Sequence, residues 1–506
     1  MKRTIPHQLE ITSRVMPDKI ALVDKNISLS FTEFYKLSIS VAYTFKSLGI
    51  KKGDRVGICM EKSVDQAISI MAILFSSAIL VPILPKLKEG NIKHIINDCD
   101  MCAIITDHIR YNEVKEIGEN LKIIRYKDIK HDKEMKIKSE FSLSTLDVAA
   151  IIYSSGSTGR PKGITITHQN IYDGARIVSE YLSTNSDDRI SGVLSFNFDY
   201  GLNQLWQIIL KGATLYLHDF IFPNDFFMHI SENKITAIPI MPVIISKMFD
   251  KRFYLENTSL DFSSVRYVST SGGRLSEDMI TDLTRTFKFS KIFSMYGLTE
   301  AFRSTFLEPE QITIRPTSIG KAIPEVEVFV LNDNQEVCKP NEVGELVHRG
   351  ACISKGYWGS PKKTSERFKV IDMFPDEIIV FSGDLVKTDE DGFLYFISRK
   401  DSMIKTQGYR VSPTEVEDEV NKHQKITASV VFGRDNIDIG QDIILIYTTS
   451  DKKELSKKLL LHYLKERLPS HMVPKHIYYI DEFPITGNEG KIDRQSVMNS
   501  HETLLN

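Results

Sequence analysis

Cysteine is scarce in this chain, with five in 506 residues, at positions 59, 99, 102, 338 and 352. So sparse and odd a set excludes a disulfide framework and fits a reducing, cytoplasmic setting. Cys99 and Cys102 form a C-x-x-C, but no second pair stands at metal-ligand spacing. The pair therefore reads as the entry to a strand over 103–106, with zinc or redox chemistry as the alternative. An excess of charge of one sign is missing too: 64 Lys and Arg face 66 Asp and Glu, a net charge of −2. Nothing in that balance calls for a nucleic acid or an anionic membrane as partner. Residues 1–10 carry two basic side chains with no apolar stretch behind them, so they do not read as a signal peptide. The longest apolar run, 67–84, is broken by Ser69, Ser76, Ser77 and Pro82 and lacks basic anchors. It reads as a buried helix running into a strand, not as a membrane span. Also absent are G-x-x-x-x-G-K-[ST], a G-x-G-x-x-G after a strand, internal repeats and low-complexity tracts. Walker-type NTPases, Rossmann dinucleotide binders and solenoids are thereby unsupported.

What is present is a polar loop at 153–165, YSSGSTGRPKGIT. Hydroxyls there can donate to phosphoryl oxygens, glycines let backbone N–H groups approach closely, and Arg160 and Lys162 add positive charge. The preceding run 148–153, VAAIIY, is short, apolar and partly β-branched, a buried strand feeding the loop. A Ser/Gly-rich surface linker is the plain alternative.

At this length two to four domains are expected. From about 20 to 330, helix-like stretches such as 31–48 and 64–75 alternate with β-rich runs at 54–59, 103–106, 236–240 and 265–269. Such alternation predicts α/β layers with largely parallel sheets. From 325 to 400 short strands (326–331, 345–349, 392–397) and turn residues predict a small antiparallel sheet or barrel. After Arg399 the chain restarts: Ser412-Pro413-Thr414-Glu415 is a capping box that starts a helix. Strands over 428–432 and 443–448, a helix over 453–467 and a strand over 477–480 complete a separate α+β domain. The expected organisation is an N-terminal domain over 1–400, with α/β subdomains to about 320 and a β-barrel over 321–400. A C-terminal α+β domain over 401–506 follows.

Further polar clusters stand where apolar strands end, where open α/β sheets place ligands. They are SGGR (271–274), YGLTE (296–300), SGDL (382–385), SRKD (398–401), KTQGYR (405–410) and GKIDR (490–494). Together and in this order, over about residues 10 to 496, they resemble the adenylate-forming (AMP-binding) superfamily. That superfamily includes acyl-CoA synthetases, stand-alone and modular amino-acid adenylation domains that load carrier proteins, and luciferases. The resemblance implies activation of a carboxylic acid with MgATP to an acyl-adenylate, release of pyrophosphate, and transfer to a thiol. It also implies a large layered N-terminal domain and a smaller, mobile C-terminal domain.

On the matching positions, Ser154, Ser155, Ser157, Thr158 and Lys162 are implied to grip the β- and γ-phosphates. Thr299 is implied as the α-phosphate donor and Glu300 as the carboxylate holding Mg²⁺, a hard cation suited to oxygen ligands. Tyr296 offers a face to adenine, with Gly272 and Gly273 allowing close backbone approach. Asp384 is suited to the two ribose hydroxyls, with Arg399 reaching ribose or phosphate. Lys491 is the implied catalytic ammonium between carboxylate and α-phosphate. Asp401 matches the hinge, and Gly408 a point where a pantetheine thiol passes. Departures are Phe381, Ser382 and Ser398 at positions usually Arg, Thr and Gly, and a stretch 484–491 one residue longer than usual, which touches the geometry of the Lys491 loop.

The acyl pocket implied by the same matching comprises 198–203, Val243, Ser269, Ser271, Met295, Arg303 and Ser304. Asp199, with Tyr200 and Asn203 behind it, reads as the partner of a substrate ammonium. Alternatively it pairs with Arg303 or caps a helix. Arg303, Asn203, Ser269, Ser271 and Ser304 make the pocket polar, which disfavours a long fatty chain. The first expectation is a stand-alone amino-acid adenylating ligase that loads a carrier-protein phosphopantetheine. The second is a CoA ligase for a short polar or dicarboxylic acid, with Arg303 reading a second carboxylate. A catalytically inactive nucleotide-binding protein is the remote third, opposed by intact Lys162, Glu300, Asp384 and Lys491.

Overall fold

The computed structural model describes residues 3–87, 89–107, 109–117, 121–129, 142–154, 161–250, 259–406, 409–436, 439–486 and 491–503, without the side chains of 410, 486, 491 and 501–503. The chain divides into two compact units, one of residues 1–328 and 348–380, the other of 329–347 and 381–506.

The first unit is built on two sheets. One has the strand order Lys122–Arg125, Ala103–Thr106, Arg55–Cys59, Ile79–Pro82, Val148–Ser154, Lys162–Thr167, parallel except for the last pair. In the other, Ile20–Asp24, Thr214–Leu217, Arg189–Gly192, Ala237–Ile240, Tyr267–Thr270 and Lys291–Leu298 run parallel. Antiparallel strands Ala301–Leu307 and Ser318–Ala322 extend it. The central parallel strands, such as Ile79–Pro82, Ala103–Thr106, Ala237–Ile240 and Tyr267–Thr270, are buried throughout, as strands covered on both faces must be.

The apolar run 67–84 folds as expected. Helix Val64–Phe75 is buried on nearly every side, and after Ser76 and Ser77 the chain enters strand Ile79–Pro82. Ser77 takes the left-handed φ of 61° that turns the chain. No described helix is long and apolar enough to cross a membrane. Helix Phe31–Ser47 starts on a reciprocal capping box of Ser30 and Glu33. Cys99 is buried, donates to the Ile95 carbonyl and is pushed up to about 11 by burial, which disfavours a thiolate. All five cysteines are free, and among the described residues no cluster of metal-ligating side chains forms.

The barrel expected over 321–400 is corrected. The antiparallel strands exist, but among the described residues they form an open path ending at Val326–Leu331, with no closed barrel. Closure needs the first and last strands to pair, which local turn signals do not specify.

In the second unit, Gly440–Thr449 is flanked by Ile426–Asn436 and Ile404–Thr406, with His476–Tyr479 paired parallel to it. Helices Pro413–Asn421 and Lys457–Lys465 cover this sheet through Val416, Val420, Leu460 and Leu464. Ser412 caps the first of them, accepting from the Glu415 N–H at 3.2 Å. Buried Glu417 accepts from the Val431 N–H and from Arg494, tying the last helix, Arg494–Thr503, to this core.

Candidate active site

In the first unit two paired strands flank the polar loop. Strand Val148–Ser154 runs antiparallel to Lys162–Thr167, with Ser154 opposite Lys162. Ser155, Ser157 and Thr158 lie outside the described residues. The Lys162 ammonium stands 5.8 Å from the centre of the Tyr357 ring, within cation–π range. Tyr357 is buried, and its hydroxyl donates to Glu300 Oε1 at 2.7 Å. A tyrosine that sequence reasoning passed over thus connects the loop lysine to the proposed metal carboxylate. It follows Gly356, whose φ of 100° only glycine adopts freely. The Tyr357 N–H donates to Thr364 Oγ1, which fixes the ring's backbone.

Thr299 and Glu300 form the turn between strands Lys291–Leu298 and Ala301–Leu307, with an irregular register between Tyr296 and Leu298. Gly297 is required there, because a Cβ would come within 2.9 Å of the Arg303 Cα. Thr299 Oγ1 donates to Asp199 Oδ2 at 3.2 Å. Asp199 is the first residue of helix Asp199–Lys211, where a negative charge suits the helix dipole. The cap position belongs to Phe198, and Arg303 bonds elsewhere, so neither structural alternative for Asp199 is realised. Asp199, Thr299 and Phe302 line a cavity together with Leu202, Trp206 and Asn170. Gly272 takes a φ of 83°, and Tyr296 stacks on His348 with ring centres 6.5 Å apart.

The polar residues expected at the acyl pocket separate into satisfied and unsatisfied groups. The Tyr200 hydroxyl, pushed up to about 12 by burial, donates to the Ser269 carbonyl at 2.8 Å. Ser304 donates to the Ala301 carbonyl. Arg303 is 5% exposed, and its Nη1 donates to Ser271 Oγ at 2.9 Å. Its guanidinium lies 4.2 Å from the Tyr200 ring centre and 5.2 Å from that of Phe302. Among the described residues, Arg303 Nε and Nη2 and Asn203 Nδ2 have no hydrogen-bond partner. Arg303 also holds φ at 56°, a costly conformation for a side chain of its size.

In the second unit, Asp384 and Arg399 sit directly opposite each other across the pairing of Phe374–Thr388 with Leu394–Arg399. Buried Asp384 Oδ1 accepts from Arg399 Nη1 at 2.7 Å, and the Asp384 N–H donates to Ser382 Oγ. Asp401 lies in the short turn Lys400–Ser402, its Oδ1 3.7 Å from Arg399 Nε. Lys491 begins strand Lys491–Ile492, paired with Ile485–Thr486. Its side chain, Gly408 and residues 487–490 of the longer 484–491 stretch lie outside the described residues. Asp493 accepts from both the N–H and the hydroxyl of Ser496, starting the last helix.

The donor set fits a magnesium ion carried by a nucleotide. Glu300 offers carboxylate oxygens and Thr299 a hydroxyl, and among the described residues no three acidic, His or Cys side chains cluster into a cage. Mg²⁺ is typically held by one or two carboxylates plus phosphates and water.

The sequence model of the AMP-binding enzyme family matches residues 9–358, and that of the AMP-binding enzyme C-terminal domain matches 415–490. Tyrocidine synthase 1 of Brevibacillus parabrevis is 27% identical over 97% of this chain, which spans 44% of that protein. ATP-bound MatB from Rhodopseudomonas palustris superposes with a TM-score of 0.90 over 100% of both chains at 20% identity. O-succinylbenzoate coenzyme A synthetase from Bacillus subtilis, solved with ATP and magnesium, gives 0.87 over 97% of this chain and 99% of that one at 23% identity. At such identities these two likenesses show the fold.

Proposed function

The chain belongs to the AMP-binding enzyme family, and from that premise we propose that it is an AMP-forming ligase that joins an amino acid to the phosphopantetheine thiol of a carrier protein. A carboxylate oxygen of the amino acid attacks the α-phosphorus of ATP, and pyrophosphate leaves. The thiol sulfur then attacks the carbonyl carbon of the aminoacyl-adenylate, and AMP leaves. The observation that carries the amino-acid reading is Asp199, a carboxylate on the cavity wall beside Thr299. Asp199 is half-buried and accepts from Thr299, and a substrate ammonium is the partner that neutralises its remaining charge.

The first step needs two negative groups brought together in line, so the work is charge neutralisation and alignment. Ser154, Ser155, Ser157, Thr158 and Lys162 hold the leaving pyrophosphate, and Thr299 donates to the α-phosphate. Glu300, oriented by Tyr357, holds Mg²⁺, which when bound offsets the phosphate charge. Tyr296, Gly272 and Gly273 receive the adenine, and Asp384, aligned by Arg399, the ribose hydroxyls. Lys491 stabilises the charge that builds on the atoms being joined. In this reading the C-terminal domain expected from 401 turns about Asp401, exchanging Lys491 for the loop of Gly408, past which the thiol enters.

The free edge of Arg303 favours a second reading, a CoA ligase for a short polar or dicarboxylic acid. Pyrophosphate exchange across an amino-acid panel and a short-acid panel separates the two. Exchange with amino acids supports the first, and exchange confined to non-amino acids overturns it. Lys491→Ala is expected to lower exchange by at least about 100-fold; unchanged exchange contradicts its role.

A further inference from the structure

A buried arginine normally spends its N–H groups on protein partners, because an unpaired buried charge is among the costliest features a fold can carry. Arg303 does so on one side only. Nη1 donates to Ser271, while Nε and Nη2, the two N–H groups on one edge of the guanidinium plane, have no partner among the described residues. That edge is the one that grips a carboxylate through two parallel hydrogen bonds. The rings of Tyr200 and Phe302 hold the guanidinium plane, at 4.2 and 5.2 Å. Phe302 also lines the cavity that Asp199 and Thr299 share. Asn203, on the face of the helix that carries Tyr200, adds a second buried donor without a partner. The left-handed backbone at Arg303 shows the side chain held in place against a conformational cost.

We propose that Arg303 is a specificity-determining residue and that the acid activated here carries a second carboxylate, bound side-on by Arg303 Nε and Nη2. The inference rests on the acid-activating reading above and narrows it, for the amino-acid case, to an aminodicarboxylic acid. A guanidinium left dry and unpaired by a neutral substrate rejects that substrate, so discrimination comes from the cost of the wrong ligand as much as from attraction to the right one.

The test is pyrophosphate exchange with matched acids: aspartate and glutamate against asparagine and glutamine, succinate and glutarate against butyrate, and alanine and leucine as neutral amino acids. The wild-type enzyme is expected to favour the second-carboxylate member of a matched pair by at least about 100-fold in kcat/KM. Arg303→Leu is expected to erase that preference, chiefly by raising KM for the dicarboxylic member, with Arg303→Lys intermediate. The wild-type panel needs no variant, so a misfolded substitution leaves the test intact. Preference for neutral amino acids overturns this inference and leaves the amino-acid reading standing. Exchange with dicarboxylates alone upholds it and overturns the amino-acid reading. Exchange with no member of the panel overturns both, and an Arg303→Leu enzyme that keeps the wild-type preference refutes the role of Arg303.

Discussion

Replacing Tyr357 by Phe removes one oxygen atom and tests how Glu300, the proposed metal carboxylate, is positioned. The hydroxyl donates to Glu300 Oε1 at 2.7 Å, a short bond to a charged acceptor. Such bonds contribute about 1.5–3 kcal/mol net, and Glu300 is only half-buried, so the lower end of that range applies. A loss of about 1.5–2 kcal/mol corresponds to a fall of about 10- to 30-fold in kcat/KM for MgATP. The ring remains, so its edge-to-face contact with Phe368, ring centres 5.9 Å apart, and its approach to the Lys162 ammonium are kept. Thermal stability is therefore expected to stay close to wild type. Tyr357→Ala, which empties the site, is expected to cost a further ~3–5 kcal/mol in stability. The assay is pyrophosphate exchange titrated with ATP at several Mg²⁺ concentrations, beside thermal unfolding. Tyr357→Phe exchange within two-fold of wild type at every Mg²⁺ concentration would refute the reasoning.

Acid should weaken the fold through its buried histidines. Burial pushes His168 down to about 4 and His229 to about 3, below the ordinary value of about 6.5. Below pH 6.5 the unfolded chain takes up protons that the folded chain refuses, so stability is lost as pH falls from 6.5 towards 4. The loss is about 1.4 kcal/mol per pH unit for each histidine. Urea midpoints at pH 7 and pH 5 measure this, and His168→Leu is expected to flatten the dependence; an unchanged slope contradicts the assignment. Gly297→Ala should lower exchange by at least about 10-fold by displacing the Thr299–Glu300 turn, since sub-ångström misplacement at a reacting centre is expensive. Wild-type exchange in that variant would show that the turn tolerates the shift.

Local pattern carried much of the architecture. The apolar run 67–84 announced both its helix and its strand because two serines and a proline interrupt it where the chain turns. Ser412-Pro413 announced a helix because capping is decided within four residues. What escaped depends on distant partners. Whether the strands around 321–400 close into a barrel is set by pairing at the ends of the run, which no single strand encodes. Tyr357 meets Glu300 across 57 residues of chain, so its connecting role had no local signature. In the sequence Arg303 already stood out as a polar pocket residue suited to a second carboxylate. That one edge of its guanidinium is buried without a partner emerges only when Ser271, Tyr200 and Phe302 are brought around it.

In the proposed first step a carboxylate oxygen attacks the α-phosphorus of ATP, and the fate of that oxygen tests the step most directly. With an activated acid labelled by ¹⁸O in its reacting carboxylate, turnover to the thiol acceptor is followed by mass analysis of the nucleotide and of pyrophosphate. One labelled oxygen is expected in each AMP and none in pyrophosphate. Label in inorganic phosphate with ADP as product, or AMP without label, would contradict it.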